Sequence, residues 1–171
     1  MTRLGYAFAT TAAVSLLGIT SIASFAPKLV WNASASTPIG LYAIGEPGRV
    51  DVTDLVAVRA PEPLATFLSD GGYLPRGVPL MKHVAALPGQ RVCRTGLAIT
   101  VDAVPMGDAL DRDRRGRSLP IWQGCRRIPA GEVFLMNWQV RDSLDGRYFG
   151  LISTDQIIGR AVPLWTDEEG D

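Results

Sequence analysis

The sequence predicts a mainly β domain that follows one apolar helix near the amino terminus. Two patterns lead to this prediction: an uncharged apolar stretch over residues 4–26, and a later series of short apolar runs separated by Gly and Pro. The chain has 171 residues, of which 18 are Gly and 12 are Pro. This length suits one domain with its own core, so we assign residues 1–30 to an N-terminal segment and residues 31–171 to a single β domain.

The apolar stretch from Leu4 to Ala26 predicts a membrane anchor. As one helix it is long enough to cross a hydrocarbon core about 30 Å thick. The alternative is a cleavable secretory signal, which also has a short positive end before an apolar segment. Ser24 and Ala26 are small enough for a cleavage site, but the next residue is Pro27, which processing enzymes accept poorly. We therefore expect a retained anchor, with Trp31 at the membrane interface.

Six apolar runs of four to eight residues predict β-strands, because turn residues bound them. The runs are 40–44, 55–58, 80–87, 97–101, 133–137 and 157–164. Residues 61–71 have the apolar spacing of a short amphipathic helix. The spacing of the strands predicts barrel-like packing rather than alternating βαβ units.

Charge and composition exclude several classes of function. The formal net charge is zero and the isoelectric point is about 6.6, so no overall field attracts nucleic acid. The sequence has no glycine-rich phosphate-binding motif, and its one His and two Cys are too few for a typical metal site. We therefore predict no cofactor, no metal and no nucleic-acid partner. The charged segments 111–117 and 167–171 are interpreted as a solvated loop and a solvated terminus, although the first could contact lipid headgroups.

The two cysteines, Cys93 and Cys125, predict a disulfide. They form an even pair, and no third cysteine is present to complete a thiolate metal site. A disulfide requires an oxidising compartment, which favours a domain outside the cytoplasm. The basic residues do not decide the orientation, because Arg3 precedes the apolar stretch and Lys28 and Arg49 follow it.

Lys82 is a candidate general base. Of 17 basic residues only Lys28 and Lys82 are lysines, and Lys82 lies within the apolar run 80–87. Unlike arginine, a desolvated lysine can lose its proton near neutral pH. The alternative is a lysine whose stem packs while its ammonium group reaches water. The neighbouring His83, the only histidine, would face away from Lys82 in a strand, so serine activated by lysine is the chemistry these residues allow.

Three segments resemble the characteristic boxes of the type I signal peptidase family. Residues 34–42 are similar to the box that carries the nucleophile shortly before a proline, and residues 81–92 to the box of the general base. Residues 143–150 resemble the final box, Ser-x-Asp-x-Arg-Tyr. Their order, behind a single apolar segment, also agrees with the family.

The resemblance is greatest to the conjugative-transfer branch of the family, the TraF-type peptidases. Pro38 to Tyr42, Phe149 in place of the usual Trp, and the ending 158–165 are typical of that branch. The resemblance extends from Asn32 to Trp165.

The resemblance assigns a role to each matching residue. It identifies Ser36 as the nucleophile and Lys82 as the general base. Ser34 would share the oxyanion hole with the backbone N–H of Ser36, and Ser143 would orient the lysine.

Asp145 and Arg147 match an ion pair that supports the site in the family. His83 stands where the family often has Arg, so Asp145 would depend on Arg147 alone. From the residues we expect Ser143 rather than Asp145 to contact Lys82, because a nearby carboxylate would keep the amine protonated.

The resemblance also implies a fold, a location and a substrate. It implies a signal-peptidase-like β-barrel or coiled-sheet catalytic domain, behind one transmembrane helix in the bacterial inner membrane, that faces the periplasm. Membrane-inserted preproteins, such as a pilin-like precursor of a conjugation system, would be cut after small residues at the first and third positions before the bond. One alternative is a non-catalytic anchored β-domain that acts in assembly of a secretion or conjugation complex. Another is a self-cleaving repressor-type Ser/Lys peptidase, which would carry a DNA-binding helix pair where this chain is apolar.

Overall fold

A computed structural model of the chain describes residues 2–22 and 28–167. Helix α1 spans Arg3–Ile22 and covers most of the predicted anchor. A helix with both the length and the apolar character needed to span a membrane is not found in the part of the chain that the structure describes. The anchor over residues 4–26 stays a prediction, and its end at 23–26 lies outside the described residues.

The remaining described residues form strands and three short helical segments. The strands are β1 Leu29–Asn32, β2 Gly40–Ile44, β3 Leu55–Val58, β4 Leu80–Ala86, β5 Arg91–Thr95, β6 Ala98–Val101, β7 Val104–Asp108, β8 Gly124–Arg127, β9 Glu132–Leu135, β10 Leu151–Ser153 and β11 Ile157–Thr166. The helical segments are α2 Leu64–Asp70, α3 Gly146–Phe149 and a 3-10 turn at Thr154–Gln156. The predicted mainly β class is confirmed, and all six predicted strands and the predicted short helix are found with small shifts at their ends.

The strands form two antiparallel sheets. The larger sheet has seven strands in the order β1-β2-β11-β3-β4-β9-β10, and the smaller has four in the order β7-β6-β5-β8. In the larger sheet, β1 and β2 form a hairpin whose turn carries the serine-rich segment. Strand β4 lies between β3 and β9, well inside the sheet. This topology leads the serine turn and the lysine strand toward the same cleft.

The core of the larger sheet explains why β4 can hold a buried lysine. Val56 and Val58 of β3, Val84 of β4 and Leu135 of β9 are fully or almost fully buried, and Leu68 of α2 packs on them. Six of the seven residues of β4 are buried, which is typical of a strand covered on both faces. Apolar neighbours on β3 and β9 thus surround the one lysine of this strand and remove it from water.

Two glycines permit close approaches that shape the surroundings of the site. A Cβ on Gly40, at the end of the serine turn, would lie 2.1 Å from the carbonyl oxygen of Trp165 on β11. A Cβ on Gly146, the first residue of α3, would lie 2.6 Å from the carbonyl oxygen of Leu135. Any larger residue would push the hairpin away from β11 or α3 away from β9.

The smaller sheet contains the predicted disulfide. Cys93 on β5 and Cys125 on β8 face each other across the antiparallel pair, with a Cα–Cα distance of 4.0 Å. The next residue, Arg94, is 1% exposed and donates from a terminal guanidinium nitrogen to the carbonyl of Arg147 at 2.6 Å. The strand with the disulfide is thereby joined to α3 and to the larger sheet.

Candidate active site

The serine turn between β1 and β2 is held from inside by Asn32. This side chain is 7% exposed, and its amide nitrogen donates to Thr37 Oγ1 at 2.8 Å and to the carbonyl of Pro38 at 3.0 Å. Its amide oxygen accepts from the backbone N–H of Ser34 at 3.1 Å. These hydrogen bonds fix the shape of the turn that carries Ser36, and a fixed orientation of the attacking group favours reaction.

Lys82 reaches this turn from strand β4. Its side chain is buried, and Nζ lies 3.3 Å from Ser36 Oγ and 3.0 Å from Ser143 Oγ. The first distance is slightly longer than the roughly 2.6–3.2 Å of a contact across which a proton is transferred. The structure thus brings together the residues that the sequence predicts as nucleophile, base and orienting serine, although they are separated by as many as 107 residues (143 − 36).

Burial lowers the pKa of Lys82 from 10.5 to about 8. The main cause is the loss of hydration of the ammonium group. The negative charge of Asp145 acts in the opposite direction, and the positive charge of Arg147 adds to the lowering. At pH 7 about one Lys82 amine in ten is then neutral and able to accept a proton.

Ser143 contacts the amine without adding a charge. It is 3% exposed, its N–H donates to the carbonyl of Val140 at 3.2 Å, and its own carbonyl accepts from Arg147 at 3.1 Å. A hydroxyl group held in this way fixes the direction of Nζ without stabilising the ammonium form as a carboxylate would.

Asp145 and Arg147 form a buried, bidentate ion pair next to Ser143. Arg147 Nε donates to Asp145 Oδ1 at 2.9 Å, and a terminal nitrogen donates to Oδ2 at 2.8 Å. Both side chains are at most 1% exposed. Asp145 also caps helix α3 by accepting from the N–H of Arg147, and it accepts from the N–H of Asn137 at 3.0 Å. The carboxylate therefore has a backbone partner as well as Arg147, which the sequence did not indicate.

Ser34 lies beside Ser36 at the exposed end of the turn. Its hydroxyl oxygen is 3.1 Å from Ser36 Oγ and 2.9 Å from the side-chain oxygen of Asn32, to which it donates. In this arrangement the proton points into the turn. To stabilise an oxyanion the hydroxyl group has to rotate toward the substrate, which a serine side chain does at little cost.

A cleft of about 330 Å³ opens over these side chains. Ser36, Lys82 and Ser143 lie on its floor. Apolar side chains form much of the wall, namely Leu68, Leu74, Leu80, Val140 and Leu144. An ion pair between Arg114 and Asp142 lies at the rim. Within residues 2–22 and 28–167, no cluster of three or more His, Cys, Asp or Glu could hold a metal ion.

The sequence interpretation missed Asn32 and Asn137, although both contact the serine turn. Asn137 lies 101 positions after Ser36 in the chain and donates to its carbonyl at 2.6 Å. Neither residue belongs to a local pattern that predicts a role. The one available signal is that the chain has only two asparagines, two positions before the box at 34–42 and six positions before the box at 143–150.

Comparison with known proteins assigns the chain to a class. A family profile described as "Signal peptidase, peptidase S26" matches residues 1–165. The chain belongs to this family.

The chain is also similar to curated proteins that are named as conjugal or plasmid transfer proteins TraF. The chain is 36% identical to a probable conjugal transfer protein TraF of Sinorhizobium fredii, over 95% of this chain and 88% of the relative. It is 34% identical to a conjugal transfer protein TraF of Agrobacterium tumefaciens, over 96% of this chain and 97% of the relative. A plasmid transfer protein TraF of Escherichia coli is 30% identical over 81% of this chain and 76% of the relative.

A solved structure with similarity to the chain is a signal peptidase I from Enterococcus faecalis. The two proteins are 18% identical. The match covers 66% of this chain and 97% of the signal peptidase, with a TM-score of 0.40.

Proposed function

We propose that the chain is a serine endopeptidase in which Ser36 and Lys82 cleave the leader peptides of exported preproteins. The observation that supports this most directly is the position of Lys82 Nζ, 3.3 Å from Ser36 Oγ in a buried setting. Ser143 holds the same amine from the other side at 3.0 Å. Membership of the signal peptidase family supports the same chemistry.

The reaction follows from these contacts. Neutral Lys82 accepts the proton of Ser36 as Oγ attacks the scissile carbonyl carbon, and the carbonyl electrons move to oxygen. The oxyanion is stabilised by the N–H of Ser36 and by the rotated hydroxyl of Ser34. Collapse of this intermediate breaks the C–N bond, and Lys82 returns its proton to the leaving amine. A water molecule, deprotonated by Lys82, then hydrolyses the ester and restores Ser36.

The cleft and the compartment suggest the kind of substrate. We expect small side chains at the first and third positions before the bond, where they would contact the apolar wall that includes Leu68, Leu80 and Leu144. The disulfide supports an oxidising location, which we take to be the periplasm. Residues 1–30 would provide the single-pass anchor in the inner membrane, and residues 31–171 the catalytic domain.

Exposed apolar residues near the serine turn support contact with the bilayer. Trp31 on β1 stacks on Trp165 of β11 with a centroid distance of 5.6 Å, and both rings are about half exposed. Leu29 and Leu164 lie on the same strands and are also exposed. Such amphipathic rings are enriched at membrane interfaces. This position would keep the cleft close to membrane-inserted preproteins.

The names of the relatives suggest the client. Conjugal and plasmid transfer proteins share 30–36% identity with the chain. We therefore propose a pilin-like precursor of a conjugation apparatus as the preprotein.

Cleavage by the purified full chain in detergent tests the proposal. The substrate is a preprotein with alanine at the first and third positions before the cut. Ser36→Ala and Lys82→Arg should each reduce cleavage to background, because one lacks the nucleophile and the other cannot accept its proton. The double variant should be no worse than either single one.

The matched control is Lys28→Arg, which changes the other lysine of the chain at an exposed ion pair with Glu46. It should keep full activity. Substantial activity in Lys82→Arg would remove the general-base role. A folded wild-type chain that cleaves no such substrate would favour the non-catalytic assembly role instead.

A further inference from the structure

We infer that Asn137 is a positioning residue that clamps the carbonyl group of Ser36 and connects the serine turn to β4 and to the Asp145–Arg147 pair. The inference rests on the proposed function, because it assigns Asn137 a part in the chemistry of Ser36. It also gives His83 a specific role, since this residue fixes the orientation of the Asn137 amide.

The amide nitrogen of Asn137 makes two contacts that join separate parts of the fold. It donates to the carbonyl of Ser36 at 2.6 Å and to the carbonyl of Met81 at 3.2 Å. Met81 precedes Lys82 on β4, so one amide group connects the segment of the proposed nucleophile with the strand of the proposed base. The amide has two N–H groups, and both have an acceptor here.

His83 determines which way this amide faces. The side-chain oxygen of Asn137 accepts from the backbone N–H of His83 at 3.1 Å and lies 3.1 Å from His83 Nδ1. The imidazole ring packs against Trp138 with a centroid distance of 5.1 Å. Rotation of the amide by 180° would point an N–H group at the backbone N–H of His83 and an oxygen at the carbonyls of Ser36 and Met81. These three contacts would be mismatched in either tautomer of His83, at a high cost for a side chain that is 1% exposed.

The backbone of Asn137 is fixed by the buried ion pair. Its N–H donates to Asp145 Oδ2 at 3.0 Å, and its carbonyl accepts from Arg147 at 3.4 Å. The ion pair therefore acts on both sides of the cleft. It holds Ser143 against Lys82, and through Asn137 it holds the peptide group that follows Ser36. A hydrogen bond to this peptide group restricts the backbone rotation that would move the side chain of Ser36 away from Lys82.

Kinetics of Asn137→Ala and Asn137→Asp test the clamp. Both variants remove the amide donor to Ser36, and the second keeps the shape of the side chain. We expect kcat to fall by about 10- to 100-fold, because a small displacement of an attacking group has effects of this size. In Asn137→Ala, KM and the midpoint of the acid limb of the pH profile should stay unchanged, since the contact between Lys82 and Ser143 is left intact. In Asn137→Asp the midpoint should move to higher pH, because a carboxylate close to Lys82 favours its protonated form. A general loss of structure would instead lower the fraction of active enzyme and the melting temperature.

His83→Phe provides a milder version of the same test. It removes the ring nitrogen that lies 3.1 Å from the side-chain oxygen of Asn137, leaves the backbone N–H contact of residue 83 in place and keeps an aromatic ring beside Trp138. We expect a smaller fall in kcat than in Asn137→Ala, with KM unchanged. The control is Gln123→Ala, which removes an exposed amide that bonds to Gly96 in the turn between β5 and β6. It should leave kcat unchanged.

Hydrogen–deuterium exchange supplies a readout that does not need activity. Amides of residues 33–37 and 39 should exchange faster in Asn137→Ala and in His83→Phe than in the wild type, and not faster in Gln123→Ala. Unchanged exchange in this turn, or full kcat in Asn137→Asp, would overturn the inference. If Asn137→Ala does not fold, His83→Phe decides by the same two measurements. A wild-type chain without peptidase activity would refute the proposed function alone, while the exchange data would still test the clamp.

Discussion

The two sheets of this protein hold their strands together by different means. In the seven-stranded sheet, strands β3, β4 and β9 are buried and apolar, and their side chains form a continuous core with α2. In the four-stranded sheet, all residues of β8 and most of β7 are exposed. That sheet has a disulfide between β5 and β8, and its apolar cluster is shared with Ala86 of β4 and Phe134 of β9 in the larger sheet.

The difference shows where a reactive site can be built. A lysine with a lowered pKa needs neighbours that exclude water, and the interior of the larger sheet provides them. The smaller sheet has too few buried residues for this purpose. It packs on Ala86 of β4 and Phe134 of β9, on the strands beside the site, and Arg94 also donates to the carbonyl of Arg147.

The largest effect that we predict comes from breaking the ion pair behind the larger sheet. Arg147→Met should lower the free energy of unfolding by about 3–5 kcal/mol, because it leaves the carboxylate of Asp145 buried without its charged partner. Denaturant unfolding of the two proteins measures this difference. The control is Arg160→Met, which removes ion pairs of a half-exposed arginine with Asp51 and Asp54 and should cost less than about 1 kcal/mol. Equal effects of the two substitutions would contradict the contrast between buried and exposed pairs.

Removal of the disulfide should act on the smaller sheet. The bridge closes a loop of 32 residues, so replacement of both Cys93 and Cys125 by Ser should cost about 3–4 kcal/mol in the chain-entropy model. Because the core of the larger sheet does not include these residues, proteolysis should first cut within residues 91–127 and peptidase activity should persist in the folded fraction. Loss of activity before any opening of the smaller sheet would mean that the two sheets are coupled more closely than their cores indicate.

Replacement of the buried lysine should stabilise the larger sheet and abolish activity. Below pH 8 the native state has to hold a charged Lys82, whereas between pH 8 and 10.5 it holds the neutral amine and the unfolded state binds more protons. Wild-type stability should therefore rise with pH across this window. Lys82→Met should be more stable by at most about 3 kcal/mol at pH 7, and this gain should vanish by about pH 10.5.

Thermal or denaturant unfolding at several pH values measures that gain. Lys28→Met is the control. Because Lys28 is exposed, its replacement does not remove the cost of burying a charge. A gain for Lys82→Met that does not change with pH would show that better packing, rather than the cost of a buried charge, is responsible.

Parts of the fold with a marked apolar pattern are predictable from sequence. Strand β4 is an example, because its apolar run coincides with burial on both faces. Strand β8, with the sequence Gly-Cys-Arg-Arg, has no apolar alternation and is not predicted; its pairing with β5 makes it a strand. Strands β1, β5, β7 and β10 also escape prediction, since they are short or polar.

The mainly β class, the cysteine pair and the three boxes that contain Ser36, Lys82 and Ser143 can be read from the sequence alone. These features depend on local composition and on motifs made of residues that are close together in the sequence. Which hydrogen bonds join the boxes is decided by the tertiary structure. The amide of Asn137 reaches Ser36 across 101 positions, and Asp145 finds a second partner in a backbone N–H. Such contacts depend on sheet order and on the direction of individual polar groups, and no local spacing encodes either of them.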